Sequence, residues 1–389
     1  MQMATFIVTS LAMGSTVIIG HHIGEQKPKE AGNAVGTTII LFLIIAVIMT
    51  FVLEFAAGGI AHLLQAPAES FDKTILYIRI CSAGIVIIIA YNVISGVLRG
   101  VGNANLPLLF VGIACVINIL GDLLLVGVFH MDVAGAAIAT VFAQFVSVVC
   151  SVVVLRKQDM PIEFSREQCR IYKEELGKIL NVGVPIALQE TTVQISFLVV
   201  NSVINQMGLM PSAGYGIAQK IVSFIMLVPS SIMQSVSAFV AQNIGAGKHK
   251  RASQTLRYAT ILTTAYGIVI TILMELAVQP VMQLFTPDAA VVALGCQYMR
   301  GYIIDTIFAG IHFSFSGYFA AYGKSYIGFL HNMAAIVLLR VPGSYLASRM
   351  FPETLFPMGL AAPAGSLLSV VICLGAFFWM KRRGTIECA

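Results

Sequence analysis

Asp122 is the residue of this sequence whose type and position best suit the binding of a proton or a cation. It lies within an apolar stretch, where an ionisable side chain costs about 2.5–3.5 kcal/mol on insertion scales and therefore needs a reason. Asn118 precedes it by one helical turn, so the two side chains share a helix face. A carboxylate and an amide in that arrangement can hold a proton or a cation together. The alternative is a structural carboxylate that caps a neighbouring helix.

A second set of polar candidates lies in the apolar stretches of the C-terminal half. Glu190 and Gln189 come early in one stretch, and the alternative for Glu190 is a carboxylate at the membrane interface. Lys220 could pair with a carboxylate across a cavity, or extend its ammonium towards water. Asp305 and His312 are seven residues apart and therefore share a helix face. Both could line a cavity, although Asp305 could also be hydrated near the end of its helix.

The composition requires that these residues are carried by helices in a membrane. Hydrophobic residues make up 58% of the 389 and charged residues only 11%, whereas soluble proteins carry about 25% charged residues. In lipid, only helices or closed barrels satisfy every backbone hydrogen bond. Barrel strands alternate over about ten residues, but the apolar runs here are continuous and longer. The chain is therefore predicted to be an all-α integral membrane protein of eleven spans, at 2–20, 33–57, 77–99, 107–129, 133–155, 182–205, 213–243, 255–279, 297–321, 326–349 and 357–380.

The basic residues predict the orientation of these spans. Most of the 23 Lys and Arg fall in alternate connections, which places those connections in the cytoplasm and the N-terminus outside. The net charge of +5 is explained by this bias, so nucleic-acid binding is not implied. The seventh stretch is long and contains Pro229, which predicts a kink and not two separate helices.

An internal repeat gives the organisation of the chain. When 23–102 is compared with 244–323, a shift of 221, 17 of 80 positions are identical, about three times the number expected by chance in so biased a composition. Both copies run in the same direction, so the repeat is parallel. The matched positions include Lys27/Lys248, Glu54/Glu275, Tyr77/Tyr298, Arg79/Arg300, Ser95/Ser316 and Gly102/Gly323.

The repeat divides the chain into two lobes. The first lobe is predicted at 1–155 with five helices, and the second at 182–389 with six helices and a basic tail. Between them, 156–181 is predicted to be a cytoplasmic linker that carries a short amphipathic helix on the membrane surface. The counterpart of the sixth span would precede Met1, so the first lobe is expected to lack its opening helix.

These features resemble the multidrug and toxic-compound extrusion (MATE) family, and its DinF-like branch most closely. The resemblance extends over essentially the whole chain and implies two six-helix lobes arranged as a V around a central cavity. The family's first helix, which carries an aspartate important for coupling, is expected to be missing here, and truncation is the favoured explanation. The residues that carry the resemblance are "HHIGEQKPKEA" at 21–31, "AQNIGAGKHKRA" at 241–252, "SGVLRGVGN" at 95–103, "NILGD" at 118–122, "GVPIALQE" at 183–190 and "AGYGIAQKI" at 213–221.

The resemblance also implies a function for the candidate residues. Asn118 and Asp122 fall on the family's Asn-x-x-x-Asp, which binds or relays the coupling ion, and Glu190 is the corresponding candidate in the second lobe. Na⁺ could bind at Asp122 or at Glu190; no other metal and no cofactor is expected. The glycine- and lysine-containing loops lack the GxxxxGK[ST] pattern, so ATP is not the predicted energy source.

The expected protein is therefore a monomeric, multi-pass antiporter of the plasma membrane. It would export organic, often cationic or amphiphilic, compounds in exchange for H⁺ or Na⁺ by rocking of its lobes, and would not be an enzyme. One alternative is a flippase for lipid-linked precursors, which usually places several cations in its cavity, whereas only Lys220 and Arg340 are available here. The other alternative is a truncated remnant that does not transport.

Overall fold

The computed structural model describes residues 2–63, 70–157, 160–384 and 386, and over these residues the chain is helical without strands. The long apolar runs account for this, because a segment in lipid must pair its backbone groups internally. The α-helices are α1 (Gln2–Gly24), α2 (Pro28–Leu63), α3 (Phe71–Ala83), α4 (Ile85–Val101), α5 (Asn105–Asp122), α6 (Asp132–Lys157), α7 (Lys173–Asn205), α8 (Leu209–Ile225), α9 (Leu227–Gly245), α10 (His249–Gln283), α11 (Ala289–Tyr302), α12 (Asp305–Ala321), α13 (Ser325–Ala335), α14 (Val341–Met350) and α15 (Phe356–Arg382).

The number of membrane spans agrees with the prediction. Within the described residues, nine helical segments are long and apolar enough to cross a bilayer, and there are eleven if each of two bent pairs is one span. The bent pairs are α3 with α4, at 50°, and α11 with α12, at 45°. A short π-helical segment at Leu123–Val128 ends one further span, and another at Ile336–Arg340 interrupts a second; neither was predicted. The all-α membrane fold is confirmed.

The predicted kink near Pro229 is present as a short break. α8 and α9 are separated at Met226, three residues before the proline, and together they form one candidate span, Leu209–Gly245. Proline cannot donate the backbone hydrogen bond to the preceding turn, so the helix is interrupted on its N-terminal side.

The predicted amphipathic helix of the linker is wrong. The described part of 156–181 contains the end of α6, a single 3₁₀ turn at Arg166–Gln168, and the start of α7 at Lys173. The Lys-Glu-Glu sequence at 173–175, which falls within the predicted linker, forms the first turn of the long α7. The helix continues through Gly177 and Pro185, which both lie inside α7.

The remaining linker residues lie against α2. Residues 160–172, here called the strap, are attached by hydrogen bonds: Glu163 N–H donates to the Pro28 carbonyl (3.2 Å), and Tyr172 N–H donates to Thr37 Oγ1 (3.2 Å). At Gly32 and Gly36 the strap approaches so closely that an added Cβ would overlap the backbone carbonyl of Glu163 or Gln168. Two glycines one turn apart thus form the notch into which the strap fits.

The chain divides into two compact units, Met1–Gly183 and Val184–Ala389. The lobe boundaries predicted at 155/156 and 181/182 stay a prediction. Each unit repeats the same internal helix crossing. In the first unit Gly96 of α4 packs against the Ala12 carbonyl of α1, and in the second Gly317 of α12 packs against the Met233 carbonyl of α9. These four positions are related by the shift of 221, and small residues at such crossings let the backbones approach in a membrane.

The repeat is also visible in two ion pairs. Arg79 Nε lies 3.4 Å from Glu54 Oε1 in the first unit, and Arg300 Nε lies 3.8 Å from Glu275 Oε2 in the second. All four side chains are partly exposed. The parallel repeat predicted from the sequence is therefore confirmed at the level of side-chain contacts.

Candidate functional site

In the first unit, Asn118 and Asp122 occupy the last turn of α5. Asn118 Nδ2 donates a hydrogen bond to Thr140 Oγ1 of α6 (3.3 Å), which leaves its amide oxygen as an acceptor. Asp122 is half-buried, and its Oδ1 is buried without a hydrogen-bond partner. The π-helical segment begins at the next residue, and segments of this kind often occur at functional sites.

Tyr77 of α3 lies within electrostatic range of the Asp122 carboxylate and contacts Cys81 one turn away. An unsatisfied carboxylate oxygen beside a free amide oxygen is suited to a proton or to a hard cation, because such cations prefer oxygen ligands. The structure thus brings Asn118 and Asp122 together as expected, but their role stays a prediction.

In the second unit, Gln189 and not Glu190 joins the buried polar groups. Gln189 is 2% exposed, and its Nε2 has no hydrogen-bond partner. Its Oε1 and the Ser316 hydroxyl both lie beside Gly328. Ser316 Oγ is 3.0 Å from His331 Nε2, so a line of polar groups extends from α7 through α12 to α13.

Asp305 and His312 lie on one side of α12, as their spacing predicted. Both are buried, and both are within electrostatic range of Arg340. The His312 ring packs edge-on against His331, with centroids 5.5 Å apart. Asp305 lies beside Tyr302 and Ser366, and its Oδ1 has no hydrogen-bond partner.

Glu190 and Lys220 lie apart from this cluster. Glu190 is half-buried and Lys220 of α8 is exposed at the surface of the unit. Among the described residues, neither forms an ion pair within 4.0 Å, so the suggested pairing of Lys220 with a carboxylate is not observed.

No metal site emerges from the described ranges, where no three His, Cys, Asp or Glu side chains converge. Which ion could bind at Asp122 stays a prediction.

A charged cluster that the sequence analysis missed lies at the end of α1. His22 Nε2 is 2.9 Å from Glu175 Oε2, and Lys178 Nζ is 2.9 Å from Glu175 Oε1. In the adjoining loop, a hydrogen bond from the Lys27 ammonium holds the pKa of Glu25 below its usual range, and Glu25 in turn raises the pKa of Lys27. His22 and Glu175 are separated by 153 residues, so no local pattern could have paired them.

The aromatic surroundings of Arg340 were also missed. Its guanidinium lies 4.0 Å from the ring centroid of Phe197. Tyr298 packs edge-on against Tyr215 at 5.0 Å and stacks on Tyr302 at 5.8 Å. The sequence offered two signals, an arginine inside a span and the repeated Tyr77/Tyr298, but neither shows that these rings meet.

Two parallel helical repeats, with up to eleven spans in the described residues and polar groups held inside them, have the architecture of a secondary transporter of the membrane. The MatE family model matches residues 1–124 and 185–346, which is more than half of the chain. The chain therefore belongs to the MATE family of efflux transporters. It is a multi-pass protein of the plasma membrane, and members of this family transport and are not enzymes.

Relatives with curated names support this placement. The chain is 25% identical over 384 residues to the probable multidrug resistance protein YoeA of Bacillus subtilis, covering 96% of this chain and 83% of YoeA. It is 24% identical over 385 residues to an FAD transporter of Shewanella oneidensis, covering 95% of this chain and 83% of that protein.

A solved structure agrees on the fold. An outward-facing multidrug resistance MATE transporter of the MOP superfamily superposes with a TM-score of 0.90 at 21% identity. The superposition covers 100% of this chain and 86% of that one. The DinF-like branch suggested by the sequence motifs stays a prediction.

Proposed function

We propose that this protein is a secondary antiporter that exports small organic compounds, often cationic or amphiphilic, in exchange for H⁺ or Na⁺. Family membership and the names of relatives support export of organic compounds. The observation that carries the coupling proposal is the buried Asp122 Oδ1, which has no hydrogen-bond partner and lies one helical turn from Asn118.

The proposed coupling follows from the chemistry of these two side chains. A proton or Na⁺ at Asp122 neutralises a carboxylate inside the membrane, where an unpaired charge is costly. If only one of two access states exposes the carboxylate to the outside, ion binding favours that state by its difference in affinity. Release of the ion towards the cytoplasm then favours the other state. Glu190 of the second unit is the further candidate, and the protein is proposed to act as a monomer.

The coupling role is tested by ethidium efflux from cells that express the chain. Asp122→Asn keeps the size of the side chain but removes its charge, and we expect efflux to fall at least about tenfold, the loss that follows from 1.4 kcal/mol or more. The matched control is Asp72→Asn, which removes an exposed carboxylate of the same unit and should leave efflux unchanged. Unchanged efflux in Asp122→Asn at equal membrane expression would refute the role of Asp122.

The coupling ion is identified separately in proteoliposomes. Dye uptake is driven either by a proton gradient without Na⁺ or by a Na⁺ gradient at equal pH on both sides. The gradient that drives uptake in the wild type but not in Asp122→Asn identifies the ion. Uptake driven by neither gradient would contradict antiport.

The same experiments address the alternatives. A lipid-linked precursor flippase needs several cations around its anionic substrate, and the sequence offers only two candidates, Lys220 and Arg340, which disfavours that function. If the protein is a remnant that does not transport, cells that carry the correctly inserted wild-type protein will accumulate as much ethidium as cells that lack the protein.

A further inference from the structure

The charged cluster at the end of α1 has no part in the proposed coupling. His22 is 6% exposed, and its imidazole lies between two carboxylates. Its Nε2 is 2.9 Å from Glu175 Oε2 in the first turn of α7, and its Nδ1 is 3.7 Å from Glu25 Oε2 in the loop after α1. Histidine is the side chain whose charge ordinarily changes between about pH 5 and pH 8. The cluster therefore places a group that titrates near neutral pH between two acids.

The partners of the ring determine where its protons lie. Lys178 Nζ, 2.9 Å from Glu175 Oε1, favours the ionised form of that carboxyl group, which can only accept hydrogen bonds. The Nε2 atom of His22 is therefore the donor in its contact with Glu175. In a neutral imidazole, Nδ1 would then be an unprotonated acceptor that faces the carboxylate of Glu25. The Nδ1 atom is buried without a hydrogen-bond partner, so a second proton there would replace a repulsion by an attraction.

The charges around the ring favour this second proton. The Lys27 ammonium, 2.8 Å from Glu25, holds the pKa of that carboxyl group below its usual range, and His21 also lies within electrostatic range of Glu25. In the described part of the chain, the ring forms ion pairs only with its two carboxylates. The helices α2 and α4, which also pack against α1, carry three further charged residues near this end: Lys29, Glu30 and Arg99.

The cluster lies at one end of a tight crossing between α1 and α7 within the first unit. A Cβ added at Gly14 would lie 2.5 Å from the carbonyl oxygen of Ile179 and 2.9 Å from the backbone nitrogen of Gly183. Glycine at this position lets the two backbones approach closely. The first turn of α7 extends past this contact, and the pair of His22 and Glu175 joins that turn to α1.

We propose that His22, Glu175 and Glu25 form a proton-binding site that holds the first turn of α7 against α1. With the second proton bound, the imidazolium attracts both carboxylates. The stabilisation is fully present at low pH and is lost as the pH rises through the range in which histidine releases its proton. The site does not depend on antiport, because it concerns proton binding to the chain without a gradient or a transported compound.

Hydrogen–deuterium exchange of the purified full chain in nanodiscs tests the site. Mass spectrometry follows the peptide 173–182 from about pH 5 to about pH 8, and each rate is corrected for the intrinsic exchange at that pH. The variant His22→Gln keeps a neutral donor for Glu175 but cannot take up a proton. The matched control is His130→Asn, because His130 is an exposed histidine of the same unit and asparagine tolerates its positive φ of 52°.

The proposal predicts a pH-dependent protection of the first turn of α7. In the wild type, the peptide should exchange at least about fivefold more slowly at about pH 6 than at about pH 8, the ratio expected between a charge-assisted and a neutral hydrogen bond. In His22→Gln this ratio should fall below about twofold, and in His130→Asn it should equal that of the wild type. Glu25→Gln removes one of the two anions, so the midpoint of protection should move about half a pH unit or more towards lower pH.

Two results would overturn the proton site. If the corrected exchange rate of the wild type does not change with pH, or if His22→Gln keeps the pH dependence of the wild type, then His22 and Glu175 form only a structural hydrogen bond of the neutral ring. If His22→Gln does not yield monodisperse protein, Glu25→Gln decides, because it alters an exposed side chain; an unchanged midpoint would then overturn the site. The proposed function is tested separately by efflux in Asp122→Asn, so either proposal can fail without the other.

Discussion

In the first unit the bend between α3 and α4 is occupied by Gly84, whereas in the second unit the equivalent residue is Asp305 at the start of α12. The helices on either side bend by similar angles, 50° and 45°. The ion pairs Glu54–Arg79 and Glu275–Arg300 are also equivalent. The helical frame is thus shared by the two units, but the charged residues Asp122, Asp305 and Arg340 have no charged counterpart in the other unit.

This difference shows that backbone geometry and site chemistry vary separately in the repeat. The helix crossings depend on small residues and on close backbone approach, which both copies retain at Gly96 and Gly317. The buried polar positions have no such constraint. One unit therefore presents an isolated carboxylate at Asp122, and the other presents an arginine with aromatic rings.

The largest expected effect concerns the strap, which lies against α2 of the first unit. Gly36→Ala would place a methyl group against the Gln168 backbone, and we expect a destabilisation of about 3 kcal/mol. The equivalent position in the second unit is Arg257, which shows that the frame itself does not require glycine there.

Thermal inactivation followed by size-exclusion chromatography of the detergent-solubilised protein measures this effect. The control is Gly58→Ala on the same helix, where an added Cβ meets no atom within 4 Å and alanine should stabilise the helix slightly. If the midpoint temperature of thermal inactivation is the same for Gly36→Ala and the wild type, the strap is not tightly packed against α2.

The smallest effect is expected for the ion pairs that the two units share. Double-mutant cycles on Glu54/Arg79 and on Glu275/Arg300 should each give a coupling energy of about 0.2–1 kcal/mol, because all four side chains are partly exposed. The cycles are measured on thermal unfolding, and added salt should reduce both values. A coupling energy several-fold larger in one unit would show that the two ion pairs are not equivalent.

The fold could be predicted from sequence to a large extent, because the shift of 221 compares whole helices. The matches at Glu54, Arg79 and Gly102 lie at contacts or turns that recur in the structure: the ion pairs, and a positive φ at Gly102 (95°) and Gly323 (68°). Periodicity and composition, however, cannot locate a π-helical segment, because its extra residue per turn is set by tertiary packing.

The candidate site was less predictable. Asn118 and Asp122 were identified because they are polar and one turn apart within an apolar stretch. Arg340 was identified as a cation within an apolar stretch, but the Phe197 ring beneath its guanidinium comes from a distant part of the chain. The contact between His22 and Glu175 could not be predicted either, because it also joins distant parts of the chain.

The strap also has a mechanical consequence. Glu163 and Tyr172 are hydrogen-bonded to the first turns of α2, and α7 begins at the next residue, Lys173. The bonded strap therefore leads directly into α7 without a flexible segment. A displacement of α2 along its axis would also displace the first turn of α7.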